Sequence, residues 1–194
     1  MKRKSADPYV YPGTKVLKNR EHIREASELE QFERLMSAQR LREGLPDIPL
    51  TPNGYCSLHH HLFQDVYDWA GSIRSVAIAK QNSMFCLPGY ILPELEKRFG
   101  LIRLDESLRS RDAVEFATPA AEHLSELNAI HPFREGNGRT QLAFLIVLAK
   151  QAGLEISIRQ IDPEAWNHAS RESFRTGDAA TLRGVILGAV VVKE

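Results

Sequence analysis

Apolar residues along this chain recur mostly at helical spacing. Over residues 21–43, Ile23, Ala26, Leu29, Phe32, Leu35 and Met36 fall between Glu and Arg residues, which predicts an amphipathic helix stopped by Gly44 and Pro46. After a loop, LPDIPLTPNG, the stripe Leu58, Leu62, Val66 and Trp69 predicts a second helix that starts at Ser57 and closes at Gly71. The period then changes. In SIRSVAIAKQNSMFCLPG, residues 72–89, alternation around Val76 and Ile78, a polar tip at Lys80–Ser83 and the pair Met84–Phe85 predict a small β-hairpin. Helical spacing returns over 91–108, with Pro93 near the start, and over 111–131, with Pro119 a candidate kink. Residues 139–152 are apolar on nearly every side, which places that helix at the centre of the fold. Two further helices, 162–175 and 178–192, close the chain. Pro8, Pro12 and Gly13 mark residues 1–13 as an irregular arm. The expected fold is mainly α: one domain over 1–194, a helical bundle with one projecting β-hairpin, without repeats or low-complexity linkers.

Composition narrows the setting more than the fold. The chain has 194 residues, 43% hydrophobic, enough for a core without staples. Its formal net charge is zero, so no global basic field draws it to nucleic acid or a membrane. The start, MKRKSADPYVYPG, lacks a signal-peptide apolar region, and the longest apolar runs, LAFLIVLA and GVILGAVVV, are too short to span a bilayer. Cys56 and Cys86 are read as free thiols in a reducing compartment, with a single bridge the lesser alternative. A cytoplasmic protein is expected. The run His59-His60-His61 invites a metal site. On a helix these side chains point about 100° apart, so they are read as surface and packing residues. Trp69 and Trp166 are read as core.

The candidate chemistry lies in AIHPFREGNGRTQLAF, residues 129–144, where a polar, flexible stretch separates two apolar ones. Leu124, Leu127 and His131 fall on one helix face, so His131 ends an inward stripe, and Phe133 is placed to anchor the turn. Gly136-Asn137-Gly138 leaves the backbone free for close approach. N–H groups at a glycine-rich turn before a helix form an anion nest, and Arg139 adds a planar fork for phosphate oxygens. A polyphosphate is the ligand this implies. Glu135 beside such a nest is repelled unless a divalent cation intervenes, and Mg²⁺ is commonly held by one or two carboxylates plus substrate phosphates. His131 titrates near neutrality, as a general base should. The set suits transfer at a phosphorus centre.

From His131 to Arg139 these residues match H-x-F-x-(D/E)-G-N-G-R, and the chain resembles the Fic family. Seven specified positions coincide by chance roughly once in a billion sites at average residue frequencies. DPYVYPGT, HLFQDVYDWAG with IR after it, and PEAWNHAS extend the resemblance over nearly the whole chain, to stand-alone bacterial Fic toxins. The resemblance implies protein adenylylation: AMP passes from ATP to a hydroxyl of a target protein. It implies His131 as base, Glu135 as Mg²⁺ ligand, Gly136, Asn137 and Gly138 as phosphate cradle, Arg139 on the leaving pyrophosphate, and Asn167 at the adenosine pocket. The hairpin becomes a flap that docks the target through Ile78, Ala79, Lys80, Gln81, Asn82 and Ser83.

Two departures stand out. Many relatives carry a second arginine where this chain has Leu142. Many also carry an inhibitory helix, (S/T)-x-x-x-E-(G/N). Glu is followed by Gly or Asn here only at Glu43 and Glu135, with Gln39 and His131 four residues earlier. The expected regulator is therefore a small antitoxin protein that brings a glutamate, and the expected targets, by resemblance, are DNA gyrase or topoisomerase IV. Transfer of another nucleotide stays open as an alternative, as does a degenerate, non-catalytic domain that binds a nucleotide or partner. Phosphoryl transfer is the further alternative; Doc-type relatives that perform it carry lysine where this chain has Gly138.

Overall fold

The computed structural model describes residues 7–80 and 83–191. Among them, seven α-helices run in order: α1 Ala26–Arg42, α2 Pro52–Phe63, α3 Pro88–Leu104, α4 Ala113–Ile130, α5 Asn137–Ala152, α6 Pro163–Thr176 and α7 Ala180–Ala189. A hairpin between α2 and α3 pairs β1 (Ala79–Lys80) with β2 (Ser83–Met84), antiparallel, with Ala79 opposite Met84. The fold is mainly α with one such hairpin, as its pattern predicts.

Polar side chains cap the starts of three of these seven helices. Asp112 accepts hydrogen bonds from the Val114 and Glu115 N–H groups to open α4, and Asp162 does the same for α6 from Glu164 and Ala165. α5 and α6 stop at Gly153 and Gly177, both in the left-handed region. α5 is the central helix, with Phe144, Leu145, Leu148 and Ala149 almost wholly buried. Its Phe144 meets Tyr55 of α2 edge-on at 5.3 Å and Phe99 of α3 at 5.5 Å. Tyr55 in turn packs on Phe133 at 5.5 Å, so the loop before α5 is keyed into the same aromatic cluster. Trp166 is buried as expected, while Trp69 is only partly buried, its ring stacked on Tyr67. Both cysteines are free thiols.

Several boundaries move, each for a local reason. α1 begins at Ala26, not 21. The Asn19 side chain bonds both Ile23 N–H and Ile23 C=O, and His22 adopts φ 56°, so the lead-in is a tight turn. α2 begins five residues before Ser57. TPNG is a helix start: Thr51 Oγ1 caps Gly54 N–H and Pro52 fills the first helical position. The same helix ends at Phe63, and residues up to Ser72 pass through successive turns. Val66 remains buried, but not as part of a helix. Asp105 ends α3 early by capping a short 3-10 turn, Glu106–Arg109. α4 passes Pro119 as one helix. α7 stops at Ala189, because Val190–Val191 (β4) leave the helix to pair antiparallel with Glu155–Ile156 (β3). The expected end at residue 192 lies outside the described residues. In the arm, of which residues 7–13 are described, Val10 bridges Leu17 and Tyr11 is buried.

Gly54 gives the α2 start a test. A Cβ there would lie 2.0 Å from the Pro49 carbonyl oxygen. Glycine to alanine inside a helix is ordinarily stabilising by about 1 kcal/mol. Here crowding should reverse the sign, and Gly54→Ala is expected to lose about 1–3 kcal/mol in urea unfolding. A neutral or raised midpoint would mean that α2 does not pack this closely on Pro49.

Candidate active site

α4 delivers His131. The helix ends at Ile130, and His131 takes the cap position in the left-handed region, φ 49° and ψ 61°, with its N–H still donating to Leu127 O. Its Nδ1 lies 3.3 Å from Asn128 O. A carbonyl only accepts, so Nδ1 carries the proton and Nε2 keeps its lone pair. Phe85, just past β2, stacks on the imidazole at 3.8 Å and 12°, and Phe174 of α6 backs Phe85 at 4.7 Å. Burial pushes the His131 pKa down to about 4, against the Asn128 bond; Arg74 and Lys80 push it down as well.

The loop from His131 to Gly136 is held by side chains from elsewhere. Asn137 is buried, and its amide closes a ring with Phe133: Phe133 N–H donates to Oδ1 at 3.0 Å and Nδ2–H donates to Phe133 O at 2.8 Å. Its side chain is thus committed to the loop, and only its backbone N–H faces the nest. Arg134 is clasped by Asp7 of the arm at 2.8 Å. His59 of α2 is fully buried, stacked on Phe133 at 3.9 Å. It accepts from Gly71 N–H at Nδ1 and donates from Nε2 to Glu135 O at 3.0 Å. Burial depresses its pKa to about 3, so it is a neutral strut. His61 instead bonds Arg40 O, and the three histidines do not converge.

Gly136 must be glycine twice over: φ is 80°, and a Cβ would strike the Phe63 ring at 2.4 Å. A Cβ on Gly138 would meet nothing within 4 Å, so open space adjoins that part of the nest. The first N–H groups of α5 have no partner within the helix and point out of its N-terminus. Glu135 is about half exposed, and its Oε1 accepts from Gly136 N–H at 2.9 Å. No cluster of three or more His, Cys, Asp or Glu able to hold a metal occurs among the described residues. A cation at Glu135 would therefore draw most of its ligands from phosphate and water.

Arg139 is already engaged. One arm pairs with Glu33 of α1, another bonds Ser37 Oγ at 3.2 Å, and the guanidinium lies 4.7 Å over Phe63. Glu33 is buried, also accepts from the Tyr67 hydroxyl, and its pKa is raised by burial against the pull of Arg139. Sequence reasoning missed Glu33, His59 and Tyr67. For Glu33 a signal existed: Leu29, Glu33 and Ser37 share the buried face of α1, so a carboxylate sits on an apolar stripe. Leu142, half-buried, packs against the core.

In the flap, Ile78 is half-buried and its carbonyl accepts from Phe85 N–H at 3.1 Å, whereas Ala79 and Lys80 are exposed. Ser83 pairs through its backbone with Lys80. Gln81 and Asn82 lie outside the described residues. Asn167 is exposed on α6, seven residues from Phe174 and so on the same helix face.

These features define a helical protein with a buried histidine and a glycine-containing helix start on one loop, beside a hairpin. The chain matches the Fic/DOC family over residues 49–149. It is 46% identical over 181 residues to the probable protein adenylyltransferase y4lH of Sinorhizobium fredii, covering 93% of this chain and 94% of that one. To the probable protein adenylyltransferase Fic of Escherichia coli it is 35% identical over 185 residues, 91% and 88% of the two chains. The chain belongs to the Fic/DOC family. Its fold is shared with the solved Bartonella tribocorum protein BepC, which has AMPPNP bound, at TM-score 0.86 and 22% identity over 96% of this chain and 97% of that one.

Glu33 removes part of the positive charge that Arg139 can offer an anion. Glu33→Gln is expected to tighten ADP binding by about 1 kcal/mol, roughly fivefold, after discounting for the solvent reach of Arg139. Calorimetry reads this directly. Unchanged or weaker binding would mean that Glu33 aids the site by orienting Arg139.

Proposed function

We propose that this chain is a protein adenylyltransferase, which moves AMP from ATP to a hydroxyl side chain of a target protein. The observation that carries the reading is the His131 tautomer, its Nε2 lone pair free at the end of α4, on the loop that leads into the α5 nest. The relatives with adenylyltransferase names cover nearly the whole chain and support it.

In this reading the target hydroxyl oxygen bonds to the α-phosphorus and its proton passes to His131 Nε2. The bond from the α-phosphorus to the bridging oxygen breaks, and pyrophosphate leaves. The N–H groups at Asn137 and Gly138 cradle the phosphates, joined by Gly136 N–H once Glu135 turns from it to the ion, with Arg139 beside them. Glu135, a lone exposed carboxylate beside the nest, fits a Mg²⁺ ligand, and the ion when bound neutralises phosphate charge. The open space at Gly138 supports nucleotidyl over phosphoryl transfer, since a lysine there would fill it. Asn167 frames the adenosine. Ile78, Ala79, Lys80 and Ser83 offer a strand edge to the target, with Gln81 and Asn82 at the tip.

The biological role proposed is that of a toxin in the cytoplasm, acting on DNA gyrase or topoisomerase IV and held by a small protein that brings a glutamate. Lack of membrane-length apolar helices among the described residues is compatible with that setting. With Leu142 in place of arginine, such a glutamate would obstruct by volume more than by an ion pair. Purification from the native host should yield the small partner. A fully active protein without one would count against it.

Transfer is tested with labelled ATP and Mg²⁺ on a bacterial extract and on purified gyrase and topoisomerase IV. A labelled band is expected, and His131→Ala should lower its rate by about 10²–10⁴. The pH profile carries a second check. Burial holds His131 neutral at pH 7, and the base is lost only as pH falls toward about 4. The acid limb of kcat/KM should therefore lie below about 6, under the ordinary histidine value. Equal labelling by a folded His131→Ala, or a limb at the ordinary value, would refute the assignment of the base.

A further inference from the structure

Between α2 and the hairpin lies Arg74, a guanidinium almost wholly buried at 1% exposure. Its Nε donates to His131 O at 2.7 Å, Nη1 to Val76 O at 2.6 Å, and Nη2 to Cys86 O at 2.6 Å and Ile130 O at 3.3 Å. Its backbone N–H donates to Pro132 O at 2.9 Å. Val76 lies on the stretch that leads into the hairpin and Cys86 on the one that leaves it, while Ile130 ends α4 and His131 caps it. All four side-chain acceptors are neutral carbonyls. Burying a cation on carbonyls alone is costly, and a turn can be closed by neutral groups for less. What the guanidinium adds is a rigid fork that reaches several carbonyls at fixed angles.

We propose that Arg74 is a positioning residue that locks the flap hairpin to His131, so that a target strand laid on the flap is held in register with the base. This rests on the transferase reading above. A second link runs in parallel. Phe85 follows β2 directly and stacks on the His131 ring, while the neighbouring Cys86 N–H donates to Ala129 O at 3.2 Å. The hairpin thus holds His131 by its backbone through Arg74 and by its ring through Phe85. The nucleotide nest uses other supports: α5 itself, Asn137, and Arg139 with Glu33. Loosening the hairpin should therefore misplace base and target together and leave nucleotide binding alone. A misplacement of about 1 Å can cost 10²-fold in rate.

The test uses Arg74→Met, which removes the fork, and Arg74→Lys, which keeps a buried charge but offers one point of contact. Four quantities are read: ADP affinity, labelling of a bacterial extract from labelled ATP and Mg²⁺, NMR shifts of the His131 ring protons, and hydrogen exchange at Cys86 N–H. Phe85 stacking moves those ring protons upfield. Both variants should bind ADP within about twofold of wild type, as sites without shared partners do. Labelling should fall by about 10² in the methionine variant and less in the lysine variant. The ring protons should lose their upfield shift, and Cys86 exchange should quicken. The proposal is overturned if labelling and ring shifts stay at wild-type values, or if ADP binding falls in step with labelling. It is also overturned if both variants unfold, since Arg74 would then serve the fold as a whole. If wild type labels nothing, the transferase reading fails, while the ring shifts and exchange still decide whether Arg74 holds the flap to His131.

Discussion

Six residues, 131–136, join α4 to α5 through the interior of the bundle, and their backbone polar groups must be satisfied without a helix or strand to do it. That constraint organises the molecule. Asn137 closes on Phe133, His59 reaches from α2 to Glu135 O, Arg74 reaches from the hairpin base to His131 O, and Thr140 Oγ1 turns back on Gly136 O. Phe133 supplies the apolar counterpart, fully buried between Tyr55 and His59. The supports come from α2, from the stretch before the hairpin and from α5 itself, so the loop is stiff although it belongs to no helix or strand. The first N–H groups of α5, at Asn137 and Gly138, have no partner within the helix, while Gly136 N–H is held by Glu135.

The electrostatics of the site follow from how few charges it holds. Arg139 is paired within the chain by Glu33, and Glu135 lies at 4.0 Å from the same guanidinium. Two carboxylates face one arginine, and Leu142 adds no cation. In the proposed function, attraction for a polyphosphate then comes from backbone dipoles and from a cation at Glu135 more than from side-chain charge. The same arrangement makes α1 part of the site, though it lies a hundred residues upstream of the loop.

How much of this was legible depended on range. The loop, with its histidine and glycines, was visible because these residues are contiguous, and α5 because its apolar run admits one placement. The start of α2 was misread because Thr, Pro, Asn and Gly serve turns and helix caps alike; only the Thr51–Gly54 bond decides. Val66 and Trp69 kept helical spacing beyond a helix that had ended, since packing inward does not require one. The tail GVILGAVVV could be helix or strand by pattern alone, and pairing with Glu155–Ile156 settled its last turn. Glu33, His59 and Arg74 were invisible as a group for a plainer reason. Their partners lie 106, 76 and 57 residues away, beyond any local period.

His131 shows what those distant partners accomplish. A non-glycine residue with positive φ stores backbone strain, and such a residue persists only where its surroundings over-determine it. Here the carbonyl is fixed by Arg74, Nδ1 by Asn128 O, and the ring face by Phe85. Only the Asn128 contact comes from its own helix. The other two come from the residues on either side of the hairpin, so His131 is oriented from the segment that, in the proposed function, meets the target. In a bundle where helix packing fixes most side chains, the residue proposed to carry the chemistry is oriented by the smallest piece of β-structure beside it. In the proposed function, the hairpin and His131 act together on the target, while the N-terminus of α5 holds the nucleotide.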